Sequence, residues 1–337
     1  MHTQTSSLEL SHFPVMLEEV VRICSPIKGG VYIDCTFGGG GYSNKLLRFS
    51  NTKVIALDRD KNILNIAKEV KKKNPDRFAF YLKKFSEVDS VIKNHGVDAV
   101  IFDLGLSSIQ LNNLTRGFSF KSKESLDMSM GLTDVSAEKV VNEYSEKTLK
   151  LIIKILGEEK EATKIVKNII KARELKKITK VDQLVEIIEK SKKKDYKKKI
   201  NPSTKTFQAL RIFVNKEITE LINGIINAAK ILKPGGKILV VSFHSIEDKI
   251  VKFFFSNFSS NRSKPSRYFP EKQESDTSLF EAYKNDILKP SIAEVNKNSP
   301  SRSAKFRYAI RSKNKFIFPD ELITKFKKYL DLEILYV

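Results

Sequence analysis

Residues that could do chemistry stand at three places in this chain. Four consecutive glycines, Gly38 to Gly41, follow the short apolar run "VYIDC" at 31–35. Asp58 closes a second apolar run, "KVIALD" at 53–58, and Asp103 lies near the end of another, "VDAVIFDLG" at 97–105. Ordered glycine costs backbone entropy, so four in a row among only 14 need a reason. A glycine-rich turn after a first strand lets backbone approach a nucleotide-like ligand and aims the next helix N-terminus at it. A carboxylate 17 residues past Gly41 can accept hydrogen bonds from both hydroxyls of a ribose. An acid at a further strand end stands where open α/β sheets place their chemistry.

The same residues narrow the ligand. No Gly-Lys-Ser/Thr follows the glycines, which excludes a P-loop. The dinucleotide fingerprint fits poorly: with Gly38 and Gly40 as its first two glycines, Ser43 stands at the third. S-adenosylmethionine (SAM) has a ribose and an adenine but no phosphate to cradle, and suits such a site. A nicotinamide dinucleotide stays open.

The elements that must position these residues alternate. The apolar runs "VYIDC", "KVIALD", "FAFYL" (78–82) and "VDAVIFDLG" read as strands, and "SNKLLRF" and "KNILNIAKEVKKK" between them as helices. A helix over 14–24 precedes them. This β-α-β-α rhythm predicts an α/β fold whose parallel sheet is covered on both faces. After Gly105 the rhythm breaks. Residues 112–135 read as loop, and helical patterns follow at 136–156, 158–174 and 180–192. A charged connection, "KKKDYKKKINPSTK", leads to one long helix, "TFQALRIFVNKEITELINGIINAAKIL". "KPGG" turns into a strand, "KILVVSF" (237–243); a loop over 259–300 precedes a last strand, "AKFRYAIR" (304–311). The expected organisation is a first sheet part (1–110), a helical insertion (111–206), a second sheet part (207–312) and a C-terminal extension (313–337). The extension's helix-like pattern suggests docking or a partner contact.

Bulk composition bounds the partners. The 337 residues carry a net charge of +21, which favours a polyanion such as nucleic acid through counterion release. Ten lysines against four acids between 176 and 199 point to phosphate contact. No apolar run approaches the roughly 18 residues of a membrane helix, and the N-terminus shows no signal-peptide pattern. Cys24 and Cys35 are too few for a disulfide framework or a zinc site and read as buried thiols. A cytoplasmic protein with no metal and no membrane partner is expected.

Longer strings carry a resemblance: "HFPVMLEEV", "YIDCTFGGGGYS", "ALDRD", "FDLGLSS", "RGFSF", "LDMSM", "NPSTKTFQALRIFVNKE", "LKPGGKILVVSFHSIEDKIVK" and "SRSAKFRYAIR". In these, from about His12 to Arg311, the chain resembles the bacterial small-subunit (16S) ribosomal RNA cytosine-N4 methyltransferases that use SAM. The resemblance implies a class I SAM-dependent methyltransferase fold, Rossmann-like, with a mostly parallel doubly wound sheet and an inserted helical domain. It implies methylation of a cytosine amine near the decoding centre, within the assembled or assembling small subunit, and leaves a homodimer open. It assigns SAM contacts to Gly40, Gly41, Tyr42, Asp58, Phe85, Asp103 and Gln110. Tyr42 stands where the family usually has His, and so does Asn201, to which no chemistry is assigned.

Within that resemblance, Asp103 is the leading candidate to accept the N4 proton, with a pure SAM-binding role as the alternative, and His244 is the candidate to shape the cytosine pocket. The target base must leave its stack, and aromatic or guanidinium planes can hold it. The candidates are Arg116, Phe118, Phe120 and Phe243. Lys205, Arg211 and the lysines of 192–199 are candidates for rRNA phosphates. Two other functions compete: a nicotinamide-dependent oxidoreductase on a Rossmann sheet, and a non-catalytic RNA-binding assembly factor.

Overall fold

The structure, a computed structural model, describes residues 14–92, 96–192, 201–262 and 278–335. Six strands form one sheet: β1 (Gly30–Asp34), β2 (Thr52–Asp58), β3 (Phe78–Leu82), β4 (Val97–Asp103), β5 (Leu232–Ser242) and β6 (Lys305–Ile310). Their order is β3-β2-β1-β4-β5-β6. The first five run parallel, and β6 lies antiparallel on β5. Alternate side chains of the central strands enter different cores. Ile33, Val100 and Phe102 join one buried cluster, while Tyr32, Ala99 and Ile101 join the other. Burial on both faces is why these strands read as unbroken apolar runs.

Helices α1 (Leu17–Cys24), α2 (Gly41–Leu46) and α3 (Leu64–Lys73) cover one face. The short α4 (Ser108–Asn112) follows β4. Then come α5 (Ala137–Glu143), α6 (Glu146–Leu156), α7 (Ala162–Leu175), α8 (Val181–Ser191), α9 (Thr204–Asn215) and α10 (Glu217–Ile231). Leu149, Ile165, Leu184 and Phe213 from these helices belong to the same continuous cluster as Ile33 and Phe102 of the sheet. The inserted helices therefore share a core with the sheet. The chain ends through α11 (Ser245–Asn257), α12 (Ile292–Lys297) and α13 (Asp320–Leu335).

Two helical patterns are each broken in the structure. The 136–156 pattern is two helices, because Tyr144 is extended and Ser145 Oγ caps the new helix by accepting from Thr148 N at 3.1 Å. The long 206–232 helix is also two. Lys216 sits between α9 and α10 in the left-handed region at φ 51°, a conformation that costs a non-glycine residue about 1–2 kcal/mol. The 259–300 loop contains α12 in its described part, and α13 docks on the body. Cys24 and Cys35 are buried and free, and burial pushes the Cys24 thiol up to about 12. Among the described residues, no helix is long and apolar enough to cross a membrane.

The break at Lys216 lets α10 turn and press onto the sheet. At the contact stands Gly224, where an added Cβ would lie 2.8 Å from Phe85 Cδ2 and 3.2 Å from Phe102 Cε1. Alanine would gain about 1 kcal/mol in helix propensity, but overpacking against buried rings costs about 1–3 kcal/mol. Gly224→Ala is therefore expected to destabilise the protein by about 1 kcal/mol in urea unfolding with an unchanged m-value. A variant as stable as wild type, or more so, would contradict this packing.

Candidate active site

In an open parallel sheet the crevice lies beyond the carboxyl ends of the strands, where the strand order reverses. Here that point lies between β1 and β4. A cleft of about 250 Å³ opens there, and Gly38, Asp58, Phe85, Asp103, Gln110 and Phe243 all line it. Four of the expected cofactor residues, from β2, β4 and the segments after β3 and β4, thus meet in one wall.

The glycine turn is held from below. Asp34, at the end of β1, is fully buried; its Oδ2 accepts from Ser43 Oγ at 2.7 Å and its Oδ1 from Thr36 N at 3.3 Å. Asp58 Oδ2 accepts from Gly38 N at 2.8 Å and Oδ1 from Asp60 N at 2.9 Å. Each oxygen keeps a lone pair for a further donor. Burial pushes both carboxyls up to about 6, against the hydrogen bonds that hold them down. Asp103 goes further. Burial, then the neighbouring Asp34 charge, raises its carboxyl well above the usual range, against the Tyr42 hydroxyl beside it, which lowers it. Its Oδ1 is buried and has no hydrogen-bond partner. An acceptor left like this in a cleft wall calls for a donor or a cation.

Gly40, Gly41 and Tyr42 do not line this cleft. Gly40 has φ 76°, and an added Cβ would lie 2.9 Å from the Phe37 ring; at Gly41 it would lie 2.5 Å from Pro14. These two glycines answer to packing within the protein. Tyr42 is buried, and its hydroxyl donates to the Val15 carbonyl. Of the four consecutive glycines, Gly38 lines the cleft.

Asp60 was not singled out by the sequence reading, yet it organises one side of the site. It is 2% exposed. Its Oδ2 accepts from Gln110 Nε2 at 3.1 Å and from Arg116, and its Oδ1 accepts from Asn62 N at 3.0 Å. Gln110 is held at its other end, where Oε1 accepts from Ser107 N at 3.1 Å in a capping box on α4. Arg59 ties the sheet to the insertion, donating to Gly131 O and Asn215 O, each at 2.8 Å. The signal for Asp60 was local: an Asp two residues before an Asn, just past a strand, is an Asx-turn pattern.

The far wall is acidic. Glu217 and Glu220 of α10 and Glu247 of α11 all line the cleft. Arg211 grips Glu217 with two bonds, Nε to Oε1 at 2.8 Å and Nη2 to Oε2 at 2.9 Å. His244 Nε2 lies 3.1 Å from Glu247 Oε1, and Glu247 Oε2 accepts from Phe243 N at 2.9 Å. Burial would raise Glu247, but the charges of His244 and Arg211 and the hydrogen bonds hold it below the ordinary value. Glu217, His244 and Glu247 lie close enough together to share a metal ion. Arg211 already holds Glu217, however, and Glu247 already lies against His244. These acids escaped the sequence reading because they sit inside ordinary amphipathic helices.

The remaining candidates are committed elsewhere. Arg116 bonds Asp60 and Ser129 O, and its guanidinium lies 5.3 Å from the centroid of the buried Phe118 ring. Phe120 packs edge-on against Phe207 at 6.3 Å. Lys205 Nζ donates to Glu158 O at 2.9 Å, and Lys192 bonds Glu159. Asn201 Oδ1 accepts from Ser203 N at 2.8 Å at the start of α9. Lysines 193–199 lie outside the described residues.

The model of the MraW methylase family matches residues 9–312. The chain belongs to that family. It is 40% identical over 304 residues to the ribosomal RNA small subunit methyltransferase H of Ehrlichia canis (strain Jake), covering 89% of this chain and 99% of that protein. It is 41% identical over 300 residues to the enzyme of the same name from Rickettsia africae (strain ESF-5), covering 89% and 97%. Among solved structures it is similar to an rRNA methylase from Streptococcus thermophilus, with TM-score 0.40 and 10% identity over 89% of this chain and 97% of that one. A methyltransferase from Streptococcus mutans in complex with SAH has TM-score 0.39 and 11% identity over 89% and 98%. The resemblance carried by the sequence strings is thus borne out.

Two expectations follow for this MraW-family site. Removing Asp60 leaves the Arg116 charge buried without its partner, at a cost of about 3 kcal/mol. In a double-mutant cycle, Asp60→Ala with Arg116→Met should cost clearly less than the two single changes added; strict additivity would refute the hub. Asp58 gives a pH test. Its folded value, about 6, lies above the ordinary Asp value of 3.8. Its contribution to stability is therefore complete below about 3.8 and is lost as pH rises through about 6, a span of about 3 kcal/mol. Unfolding of wild type and Asp58→Asn across pH 4 to 7 should show wild type losing ground by roughly that amount as pH rises. A difference that does not change with pH would contradict it.

Proposed function

We propose that the cleft binds S-adenosylmethionine and that the protein methylates the N4 amine of a cytosine in small-subunit ribosomal RNA, near the decoding centre. Membership of the MraW methylase family makes it a methyltransferase, and the relatives' names point to small-subunit rRNA. The observation that carries the reading is Asp103: a buried, partnerless carboxylate oxygen at the end of β4, in the same wall as Asp58. An acid-rich cleft with apolar lining from Phe85 and Leu104 suits a cation with a flat apolar body.

When bound, SAM supplies an electrophilic methyl group on a sulfonium. The protein's own residues do the rest. The free lone pairs of Asp58 accept the ribose hydroxyls. Phe85, braced edge-on against Phe102 at 5.6 Å, offers a ring to the adenine. The cytosine N4 lone pair is delocalised into its ring, so it is a weak nucleophile. Asp103 accepts a hydrogen bond from N4–H, which raises electron density on nitrogen, and then takes the proton. Burial and Asp34 strengthen it as a base, and a cation in the cleft favours its ionised form. Phe243 and His244, after β5, shape the cytosine side. The net charge of +21 supports an rRNA partner through phosphate contacts.

The test is incubation with labelled SAM and unmethylated small ribosomal subunits, followed by mapping of the modified nucleoside. N4-methylcytidine at one position is expected; label in another base, or none, would overturn the reading. With Asp103→Asn, turnover should fall by about 10²–10⁴ while SAM still binds. Unchanged turnover would remove Asp103 from the chemistry.

A further inference from the structure

Residues 313–337 lie beyond the family match, which ends at 312. Relatives matched over 97–99% of their own length cover only 89% of this chain. Within this extra segment α13 packs against α6, α10 and α11. It buries Leu322, Phe326, Tyr329, Leu330 and Leu332, with Phe326 edge-on to Phe253 at 5.6 Å. Burial of that much apolar surface explains why α13 docks. It does not explain Glu333. That side chain is fully buried, and it reaches the first turn of α10.

The first turn of α10 has no cap of its own. The residue before it, Lys216, is left-handed and makes no side-chain cap bond. The second and third residues of a helix present N–H groups that a local Ser, Thr, Asp or Asn ordinarily accepts. Here Glu333 does so from over a hundred residues away. Oε1 accepts from Ile218 N at 3.2 Å, and Oε2 accepts from Thr219 N at 2.8 Å and Thr219 Oγ1 at 2.6 Å. The same turn carries Glu217 and Glu220, which form the acidic wall of the cleft. Glu217 in turn orients Arg211 through its two bonds.

We propose that Glu333 is a positioning residue for methyl transfer: it caps α10 in place of a local residue and thereby sets Glu217 and Glu220 in the cleft wall. The segment beyond the family match is on this view a built-in brace for the site. The inference rests on the reading of the cleft as the SAM and cytosine site. Burial, with Glu217 beside it, pushes the Glu333 carboxyl up to about 8 against its three hydrogen bonds. Glutamine keeps one carbonyl acceptor but turns its NH2 toward a backbone N–H, so it preserves the cap in part, and leucine removes the cap while filling the space.

The experiment compares full-length wild type, Glu333→Gln and Glu333→Leu for thermal unfolding, SAM binding by calorimetry, and kcat and KM on unmethylated small subunits. Assays are run at a temperature where each variant is folded by circular dichroism. Glu333→Leu should lose at least tenfold in kcat/KM, since small displacements of a site can cost about a hundredfold. Glu333→Gln, which keeps one acceptor, should fall between wild type and Glu333→Leu. Adding Glu217→Gln to Glu333→Leu should cost much less than it does in wild type, because both act through one wall. A folded Glu333→Leu with wild-type kinetics, or a Glu333→Gln no better than Glu333→Leu, overturns the proposal and shows a purely structural helix. Wild type that binds no SAM overturns the underlying reading as well, so the two failures are told apart.

Discussion

Three parallel strands of this protein end in carboxylates, and removing carboxylates from water is costly. Asp34, Asp58 and Asp103 close β1, β2 and β4 around one crevice. Each is held above the ordinary carboxyl range by burial. An arrangement of this kind persists only where hydrogen bonds or a ligand offset the desolvation. Asp34 and Asp58 have such bonds, to Ser43, Thr36, Gly38 and Asp60. Asp103 Oδ1 has none. The site is therefore graded from a satisfied floor to an unsatisfied lip, and the lip is where a cationic donor and an amine proton have something to meet.

The rest of the molecule holds that grading in place. Asp60 locks Gln110 and Arg116, so the loop after β4 cannot drift from the turn after β2. Arg59 fastens the turn to the insertion through Gly131 and Asn215. Because the inserted helices share one core with the sheet, the acidic wall on α10 and α11 is carried by packed elements. Precision in such a site comes from rigid supports of this kind more than from the reacting groups themselves.

Much of the frame was legible in the sequence. β1 and β4 are largely buried, and the apolar runs of β1 to β4 stop at polar residues, which marks the strands and the acids at the ends of β1, β2 and β4. What escaped was tertiary. The break at Lys216 carries no glycine or proline, and helical periodicity runs straight through it. Nothing near Glu217 announces that it faces a cleft, since an acid early in a helix is ordinary. Of the glycine run, Gly38 lines the cleft, and Gly40 and Gly41 lie close against Phe37 and Pro14. Of the residues expected to meet RNA, Arg116 is tied to Asp60 and Phe118 is buried, whereas Phe243 lines the cleft and Lys205 is exposed.

The central claim is that buried, proton-rich carboxylates receive a cationic, ribose-bearing donor. It is tested most directly by calorimetry of SAM binding near pH 6 in buffers of different ionisation enthalpy, which counts protons exchanged on binding. Ionisation of Asp58 and Asp103 around the ligand should release protons, and the release should shrink in Asp58→Asn. Binding with proton uptake, or no binding, would contradict it.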